Sequence, residues 1–212
     1  MIEVINEIYR GILDGQKAVV QEKVKVALLS GVPVKSILDE GMIAAMSEVG
    51  RLFEQGKYYI PEMLVSARAM KAGLALLKPY LNETNTQVVG KVAIGTVKGD
   101  LHDVGKNLVA IMLEGAGFEI LDLGTDVAMD SFVQAADHVQ VIALSALLTT
   151  TMWNMKEVMD GLQQSGKRSM VKVIIGGAPV TKEFAKLIGA DGFAPDASRA
   201  ASLVKSLLME KE

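Results

Sequence analysis

The sequence contains no cysteine among its 212 residues. This absence excludes disulfide bonds, metal sites built from thiolates and a cysteine nucleophile. The sequence also lacks a strong charge of either sign, because 22 basic residues face 25 acidic residues and leave a net charge of −3. Without a basic patch, we expect no nucleic-acid partner. No apolar run reaches the ~18 residues that a membrane span needs, so we expect no membrane partner either.

The start of the sequence does not have the pattern of a secretory signal. The first residues, MIEVINEIYRGILDG, are acidic and amphipathic. A signal peptide would instead begin with basic residues and continue with an apolar stretch. We therefore expect a cytoplasmic protein. With 50% hydrophobic and 22% charged residues, the composition is that of a globular protein, and the length suits one or two domains.

The N-terminal part of the chain shows the periodicity of helices. Apolar residues recur every three or four positions in two long stretches, which two shorter amphipathic stretches precede. The four predicted helices cover residues 2–13, 16–30, 34–53 and 60–81. The sequence therefore predicts a four-helix bundle over residues 1–81. The polar segment 82–90 has no period and is the predicted linker.

After residue 90, short β-rich runs alternate with helical segments. The candidate strands cover residues 91–97, 118–123, 139–145, 171–177 and 191–194. This alternation is typical of βαβ units, so residues 91–212 are predicted to form a doubly wound α/β domain with a five-stranded parallel sheet, Rossmann-like or flavodoxin-like. Ligands of such sheets bind beyond the carboxyl ends of the strands. The residues that follow each strand are therefore the candidate site residues.

The first strand is followed by the segment KGDLHDVGKN, which places a carboxylate, Asp100, two residues before a histidine, His102. A carboxylate at this spacing can fix the tautomer of a metal-binding imidazole. The same pair also fits a helix cap followed by an exposed loop histidine. We expect Lys98 and Lys106, near the two ends of this segment, to be solvated charges.

Two further loops carry groups that suit a ligand. The third strand is followed by SALLTTT, whose hydroxyls can hold the polar edge of a ligand or cap a helix. The fourth strand ends in GGAP, where two residues without side chains let a ligand lie on the backbone or form a tight turn. Each loop by itself leaves both interpretations open.

Taken together, the three motifs resemble a known family. GDLHDVGKN, SALLTTT and IIGGAPVT, in this order, are similar to the cobalamin-binding domain of methionine synthase and of the small corrinoid proteins of methyltransferase systems. The helical segment GRLFEQGKYYIPEMLVSARAMK (50–71) resembles the cap that precedes that domain. The resemblance covers nearly the whole chain. It implies a cobalamin cofactor bound in the base-off, His-on mode, with its nucleotide tail in a slot of the α/β domain.

The resemblance also implies the site residues. His102 matches the cobalt ligand, Asp100 matches its hydrogen-bond partner, and Thr151 retains the hydroxyl of the serine that continues this network in methionine synthase. The positions near the corrin and the nucleotide tail are Gly105, Ser145, Leu147, Thr149, Gly176 and Gly177. The cap residues that match the apolar cover of the methyl face are Phe53, Ile60 and Met63.

The function that the resemblance implies is that of a corrinoid methyl carrier. Such a protein shuttles a methyl group, through methyl-Co(III) and Co(I), between a substrate-specific methyltransferase and a second methyltransferase that acts on tetrahydrofolate or on a thiol such as coenzyme M. It is a non-catalytic subunit, and a separate activase performs its reductive activation. The alternatives are a cobalamin-dependent sensor, the small subunit of an adenosylcobalamin mutase, and a flavodoxin-like domain without a corrinoid.

Overall fold

The computed structural model describes residues 2–83 and 89–209, without the side chains of residues 78 and 81–83. The chain divides into two compact units. The first, called the helical unit, comprises Met1–Val88 with Glu114–Gly117. The second, called the α/β unit, comprises Val89–Leu113 with Phe118–Glu212. None of the described helices is long and apolar enough to cross a membrane.

In the part of the chain that the structure describes, the helical unit consists mainly of four rod-like helical segments. Its α-helices are α1 (Ile2–Leu13), α2 (Lys17–Leu29), α3 (Val34–Ser36), α4 (Ala44–Glu54) and α5 (Ile60–Glu83). A π-helical segment, Ile37–Ile43, joins α3 to α4 without a break, so that these three pieces make one rod. α2 packs against α1 and α5 through apolar side chains such as Val20 and Val24, which are fully buried. The four helices that the sequence predicts are therefore present.

The last helix of this unit is longer than its sequence pattern indicates. α5 continues through Asn82 and Glu83, so the first two residues of the predicted linker are helical. Asparagine disfavours helices, but extending an existing helix by one residue needs no new nucleus and costs little. Residues 84–88 of the predicted linker lie outside the described residues.

Within the described residues, the α/β unit contains five parallel strands and five helices. The strands are β1 (Lys91–Val97), β2 (Glu119–Val127), β3 (Val141–Ser145), β4 (Lys172–Gly176) and β5 (Gly192–Phe193). The helices are α6 (Val104–Gly115), α7 (Met129–Ala135), α8 (Asn154–Gln164), α9 (Lys182–Ile188) and α10 (Ala197–Met209). The strands lie in the order β2-β1-β3-β4-β5, and all neighbouring pairs are parallel. A helical region followed by a five-stranded parallel α/β domain confirms the predicted fold class.

The strand order places the three motif loops side by side. The chain leaves β1 on one side for β2 and returns on the other side as β3, which makes the carboxyl ends of β1 and β3 the switch point where ligands of such sheets bind. Thr96 of β1 pairs with Ser145 of β3, which in turn pairs with Gly176 of β4. The three strands therefore end side by side, and the loops that follow them begin next to one another.

The central strands and the edge strand β2 differ in burial and regularity. β1, β3 and β4 are almost continuously apolar and buried, as strands covered by helices on both faces are. β2 is largely exposed and contains two register shifts against β1, between Ile94 and Gly95 and between Gly95 and Val97. The predicted strand ends at residue 123, whereas β2 continues to Val127. The two register shifts allow the pairing with β1 to continue past Gly124.

Candidate functional site

The site is built around Asp100, whose exposed fraction is 1%. Its Oδ1 accepts a hydrogen bond from Nδ1 of His102 at 2.7 Å and another from the backbone N–H of His102 at 3.1 Å. Its Oδ2 accepts hydrogen bonds from Oγ1 of Thr151 at 2.6 Å and from the backbone N–H groups of Leu147 at 2.8 Å and Leu148 at 3.3 Å. Because all these neighbours can donate, the ionised carboxylate is the form that satisfies them.

Hydrogen bonding outweighs burial in setting the pKa of Asp100. Burial alone would raise this pKa, but the bonds from Thr151, Leu147 and His102 hold it well below its ordinary value of 3.8. The carboxylate is therefore charged at neutral pH. An ionised partner fixes the proton of His102 on Nδ1 and leaves the lone pair of Nε2 available, on a side chain that is 53% exposed.

The histidine loop, residues 98–103, is tied to the elements around it. Thr96, fully buried on β1, donates from Oγ1 to the backbone carbonyl of His102 at 2.8 Å. Nδ2 of Asn154, at the start of α8, donates to the backbone carbonyl of Lys98 at 2.6 Å. These bonds connect the histidine loop to β1 and to the start of α8, the helix that comes after the hydroxyl loop, residues 146–151.

A residue that the sequence reasoning missed also contacts the histidine loop. Oδ1 of Asp126, near the end of β2, accepts from the backbone N–H of Gly99 at 2.8 Å, and the Asp126 carboxylate lies 3.0 Å from Nζ of Lys98. Hydrogen bonds from the Gly99 amide, which has the larger effect, and from Lys98 lower the pKa of Asp126. The available signal was that this aspartate follows a predicted parallel strand, residues 118–123, just as the other candidate groups follow theirs.

Packing within the protein explains the glycine pair at the end of β4, Gly176 and Gly177. Gly177 has φ +124°, and a Cβ added there would lie 1.8 Å from the carbonyl oxygen of Ala146. A Cβ added at Gly176 would lie 2.8 Å from the carbonyl oxygen of Ala194. Close packing of the backbone explains both residues, so their predicted contact with a nucleotide tail stays a prediction.

Gly105 is different from this pair. It lies in the first turn of α6 and is not among the glycines with positive φ. A Cβ added at Gly105 would meet no atom within 4 Å. Neither backbone conformation nor protein packing requires a glycine here, which is what a position reserved for the close approach of a ligand would show.

The other predicted contact residues surround the carboxyl end of β3. Ser145 ends β3 and is half-buried, and Thr149 is exposed. Leu147 is 43% exposed, although its backbone N–H belongs to the Asp100 network. Further exposed apolar side chains that the sequence reasoning did not single out flank His102 in the sequence or follow Leu147, and these are Leu101, Val104 and Leu148. The loops of the site thus expose apolar surface as well as the imidazole.

The predicted cap residues lie in the helical unit. Phe53, near the end of α4, is half-buried. Ile60, the first residue of α5, is 42% exposed, and Leu64 lies one turn later on the same helix with 40% exposed. Met63 is fully buried. Of the three predicted residues, Ile60 has the most apolar surface free, and Leu64 was not predicted.

Lys106 is not the solvated charge that the sequence led us to expect. Its side chain is only 2% exposed, and Nζ lies 2.7 Å from both carboxylate oxygens of Asp122 and 2.8 Å from Oδ1 of Asn107. Burial would raise the pKa of Asp122, but the bonds from Lys106 and from the Gly124 amide lower it. The lysine is buried because it joins the first turn of α6 to β2. Lys98, in contrast, is exposed as expected.

These residues fit one face of a corrinoid. Among the described residues, no group of three or more histidine, cysteine or acidic side chains could hold a bare metal ion. The exposed imidazole of His102 could supply one protein ligand to a metal whose other positions a macrocycle fills. The exposed apolar side chains beside it suit the flat body of such a macrocycle, and Gly105 leaves room for an appended group.

Comparisons with known proteins agree with this arrangement. Residues 90–202 match the family described as B12 binding domain, and residues 4–78 match a second family with the same description. Trimethylamine corrinoid protein 1 of Methanosarcina acetivorans is 40% identical over 211 residues, 98% of each chain. Dimethylamine corrinoid protein 1 of Methanosarcina mazei is 41% identical over 212 residues, 99% of this chain and 98% of that one.

Solved structures include a similar chain. It belongs to the methanol:cobalamin methyltransferase complex MtaBC from Methanosarcina barkeri. The similarity has a TM-score of 0.86 at 29% identity and covers 98% of this chain and 80% of that chain.

Proposed function

Because this chain belongs to the B12-binding corrinoid proteins of methyltransferase systems, we propose that it carries methyl groups between two methyltransferases. The first partner transfers the methyl group from a substrate, and the second passes it to tetrahydrofolate or to a thiol such as coenzyme M. The relatives named for trimethylamine and dimethylamine support a methylated amine as the primary donor. A separate activase would restore the cofactor when it becomes oxidised.

The observation that carries the proposal is the bond between Asp100 and Nδ1 of His102 at 2.7 Å. When bound, a corrinoid would supply the cobalt chemistry that lets a methyl group be taken up and passed on. We propose the base-off, His-on mode, in which Nε2 of His102 would be the protein ligand of the cobalt. Thr151 and the Leu147 amide orient Asp100, and Asp100 orients the imidazole.

The remaining predicted residues contact other parts of the cofactor in this proposal. Those near the corrin and the nucleotide tail are Gly105, Ser145, Leu147, Thr149, Gly176 and Gly177. Those that shield the methyl group are Phe53, Ile60 and Met63. Shielding requires only apolar bulk and exclusion of water, which these three side chain types provide.

The first experiment tests the ligand. We expect the protein reconstituted with cobalamin to show the spectrum of a base-off, His-on cofactor and, in the Co(II) state, the electron paramagnetic resonance splitting of one axial nitrogen. His102→Ala should lose both signatures. The matched control is His138→Ala, because His138 is the other of the two histidines and is exposed in a turn. An unchanged spectrum in His102→Ala would refute the ligand assignment.

The second experiment tests the methyl carrier. Anaerobic capture of the reconstituted protein, followed by mass spectrometry, should recover a methyltransferase. That enzyme, supplied with trimethylamine, dimethylamine or methanol, should methylate the reduced cofactor, which visible absorbance follows directly. If no captured enzyme methylates the cobalt, and the protein prefers adenosylcobalamin to methylcobalamin, the sensor or the mutase subunit becomes the better assignment.

A further inference from the structure

The end of β2 has an unusual backbone. Along this strand, Ile94 of β1 pairs with Asp122, but the next residue, Gly95, pairs with Gly124, and Val97 pairs with Val127. β2 therefore contains extra residues relative to β1 at two successive places. Such bulges bend a strand and redirect its side chains, and they are common beside active sites.

Asp126 occupies the second of these places in a left-handed conformation. Its φ is +53°, and it is the only described residue other than glycine with a positive φ. Aspartate tolerates this region better than most residues because its short polar side chain can bond to nearby backbone. A conformation of this kind persists where the surrounding contacts hold it.

The contacts that hold Asp126 all belong to the histidine loop. Its carboxylate accepts the backbone N–H of Gly99 at 2.8 Å, and its own backbone N–H donates to the backbone carbonyl of Asp100 at 2.9 Å. The two bonds run in opposite directions and so fix both the position and the orientation of the segment between Gly99 and Asp100. This pair of bonds is called the Asp126 clamp below.

The ion pair with Lys98 contributes less than the clamp. Nζ of Lys98 lies 3.0 Å from the Asp126 carboxylate, but both side chains are substantially exposed, 59% for the lysine and 42% for the aspartate. Exposed ion pairs of this kind contribute little. The hydrogen bond between the carboxylate and the Gly99 amide is therefore the main effect of the side chain.

We propose that Asp126 is a positioning residue for the lower cobalt ligand. The clamp holds the backbone at the Gly99 amide and at the Asp100 carbonyl, while Thr151 and the Leu147 amide hold the Asp100 carboxylate. With both ends of Asp100 fixed, the imidazole of His102 is oriented before the cofactor binds. This inference rests on the proposed function, in which His102 is that ligand.

The test uses three variants at one position. Asp126→Gly keeps the left-handed backbone and the N–H that donates to Asp100 but removes the acceptor for Gly99. Asp126→Asn keeps an acceptor oxygen and removes the charge. Asp126→Ala removes the acceptor and disfavours the backbone conformation. The matched control is Asp160→Ala, which removes another exposed aspartate that forms an ion pair, here with Lys156 at 2.6 Å.

The first measurement is amide hydrogen exchange of residues 98–103 in the protein without cofactor. Loss of one hydrogen bond of ordinary strength should accelerate exchange in Asp126→Gly by about fivefold. Asp126→Asn and Asp160→Ala should stay within about twofold of the wild type. The melting temperature of Asp126→Gly should fall by less than the loss of one hydrogen bond would cause, because glycine also removes the strain of the positive φ.

The second measurement is the fraction of Co(II) cofactor that shows the axial-nitrogen splitting. Asp126→Gly should shift the equilibrium between coordinated and uncoordinated imidazole by about fivefold towards the uncoordinated form. Asp126→Asn should keep this equilibrium close to its wild-type value. Wild-type behaviour of Asp126→Gly in both measurements overturns the inference, and so does equal loss in Asp126→Asn, because charge rather than the hydrogen bond would then be responsible.

The two measurements separate this inference from the proposed function. If the wild-type protein shows no axial nitrogen, the ligand assignment is wrong, whatever the exchange data show. If the wild type shows the nitrogen and Asp126→Gly changes neither its fraction nor the exchange of the histidine loop, the clamp is wrong and the ligand assignment stands.

Discussion

Gly105 offers a test in which protein stability and cofactor binding should move in opposite directions. In Gly105→Ala, the added methyl group meets no protein atom within 4 Å, and φ is not positive. Alanine is favoured over glycine in helices, by about 0.5 kcal/mol at the low end of the usual range. For a chain of this size, that gain corresponds to about 1–2 °C in the melting temperature of the protein without cofactor.

Binding should weaken in the same variant. If the nucleotide tail lies against the start of α6, the added methyl group would overlap it, so either the tail or the helix must shift. Overpacking of this kind costs about 1–3 kcal/mol. That cost raises the Kd for cobalamin by about 5- to 150-fold. Visible absorbance titration measures the Kd, and a thermal melt of the unloaded protein measures the stability. Gly105→Val should bind still more weakly.

Gly177→Ala is the contrasting variant. Its added Cβ would lie 1.8 Å from the Ala146 carbonyl oxygen at a φ of +124°. Strain and overpacking should together cost about 3–5 kcal/mol, so this variant should melt about 10 °C lower before any ligand is added. If Gly105→Ala is stabilised and still binds cobalamin within about twofold of the wild type, no part of the cofactor approaches α6, and the reasoning about Gly105 is refuted.

Three further predictions concern the polar network. Thr151→Val removes the hydroxyl that donates to Asp100 at 2.6 Å and should cost about 2 kcal/mol in thermal or urea unfolding, whereas Thr151→Ser should stay close to the wild type. Asp122→Ala leaves the buried ammonium of Lys106 without its carboxylate, which is 46% exposed, and should cost about 1–3 kcal/mol, whereas Lys106→Met should be nearly neutral. Equal losses would contradict the burial of the ammonium group. Folding lowers the pKa of Asp100, so the contribution of this carboxylate to the free energy of unfolding is complete above the unfolded value of 3.8 and is lost as the pH falls further. Acid unfolding followed by circular dichroism should therefore have a shallower pH dependence in Asp100→Asn.

The contacts of the site that can be predicted from the sequence are mainly those between residues close together in the chain. Asp100 and His102 are two residues apart, so their contact depends on one loop and could be anticipated from spacing. The strand order that brings Thr151 to Asp100 follows from the alternation of strands and helices together with the resemblance. Asp126 lies 27 residues from Gly99, and their contact depends on two bulges in an edge strand. Apolar patterning does not encode a bulge, so this contact could not be predicted.

Lys106 illustrates the same limit for burial. A lysine in a loop motif between polar residues has the sequence features of a solvated charge. Whether its ammonium group is buried depends on the distance between the first turn of α6 and Asp122, which is a property of how the helix packs on β2. Cap residues raise the same question, because Ile60 and Met63 share a helical stripe and yet are 42% and 0% exposed. Periodicity identifies the stripe but not which of its members are covered.

Asp100 links His102, the proposed metal ligand, to the loop that is proposed to hold the rest of the cofactor. One of its oxygens accepts from His102, and the other accepts from the Leu147 and Leu148 amides and from Thr151. Removing the imidazole in His102→Ala can lower the affinity for cobalamin only by the contribution of the cobalt bond. Removing the carboxylate in Asp100→Ala disturbs that bond and also releases the backbone of the hydroxyl loop. The loss of affinity in Asp100→Ala should therefore exceed the loss in His102→Ala, although Asp100 does not touch the metal. A smaller loss in Asp100→Ala would mean that the hydroxyl loop does not contact the cofactor.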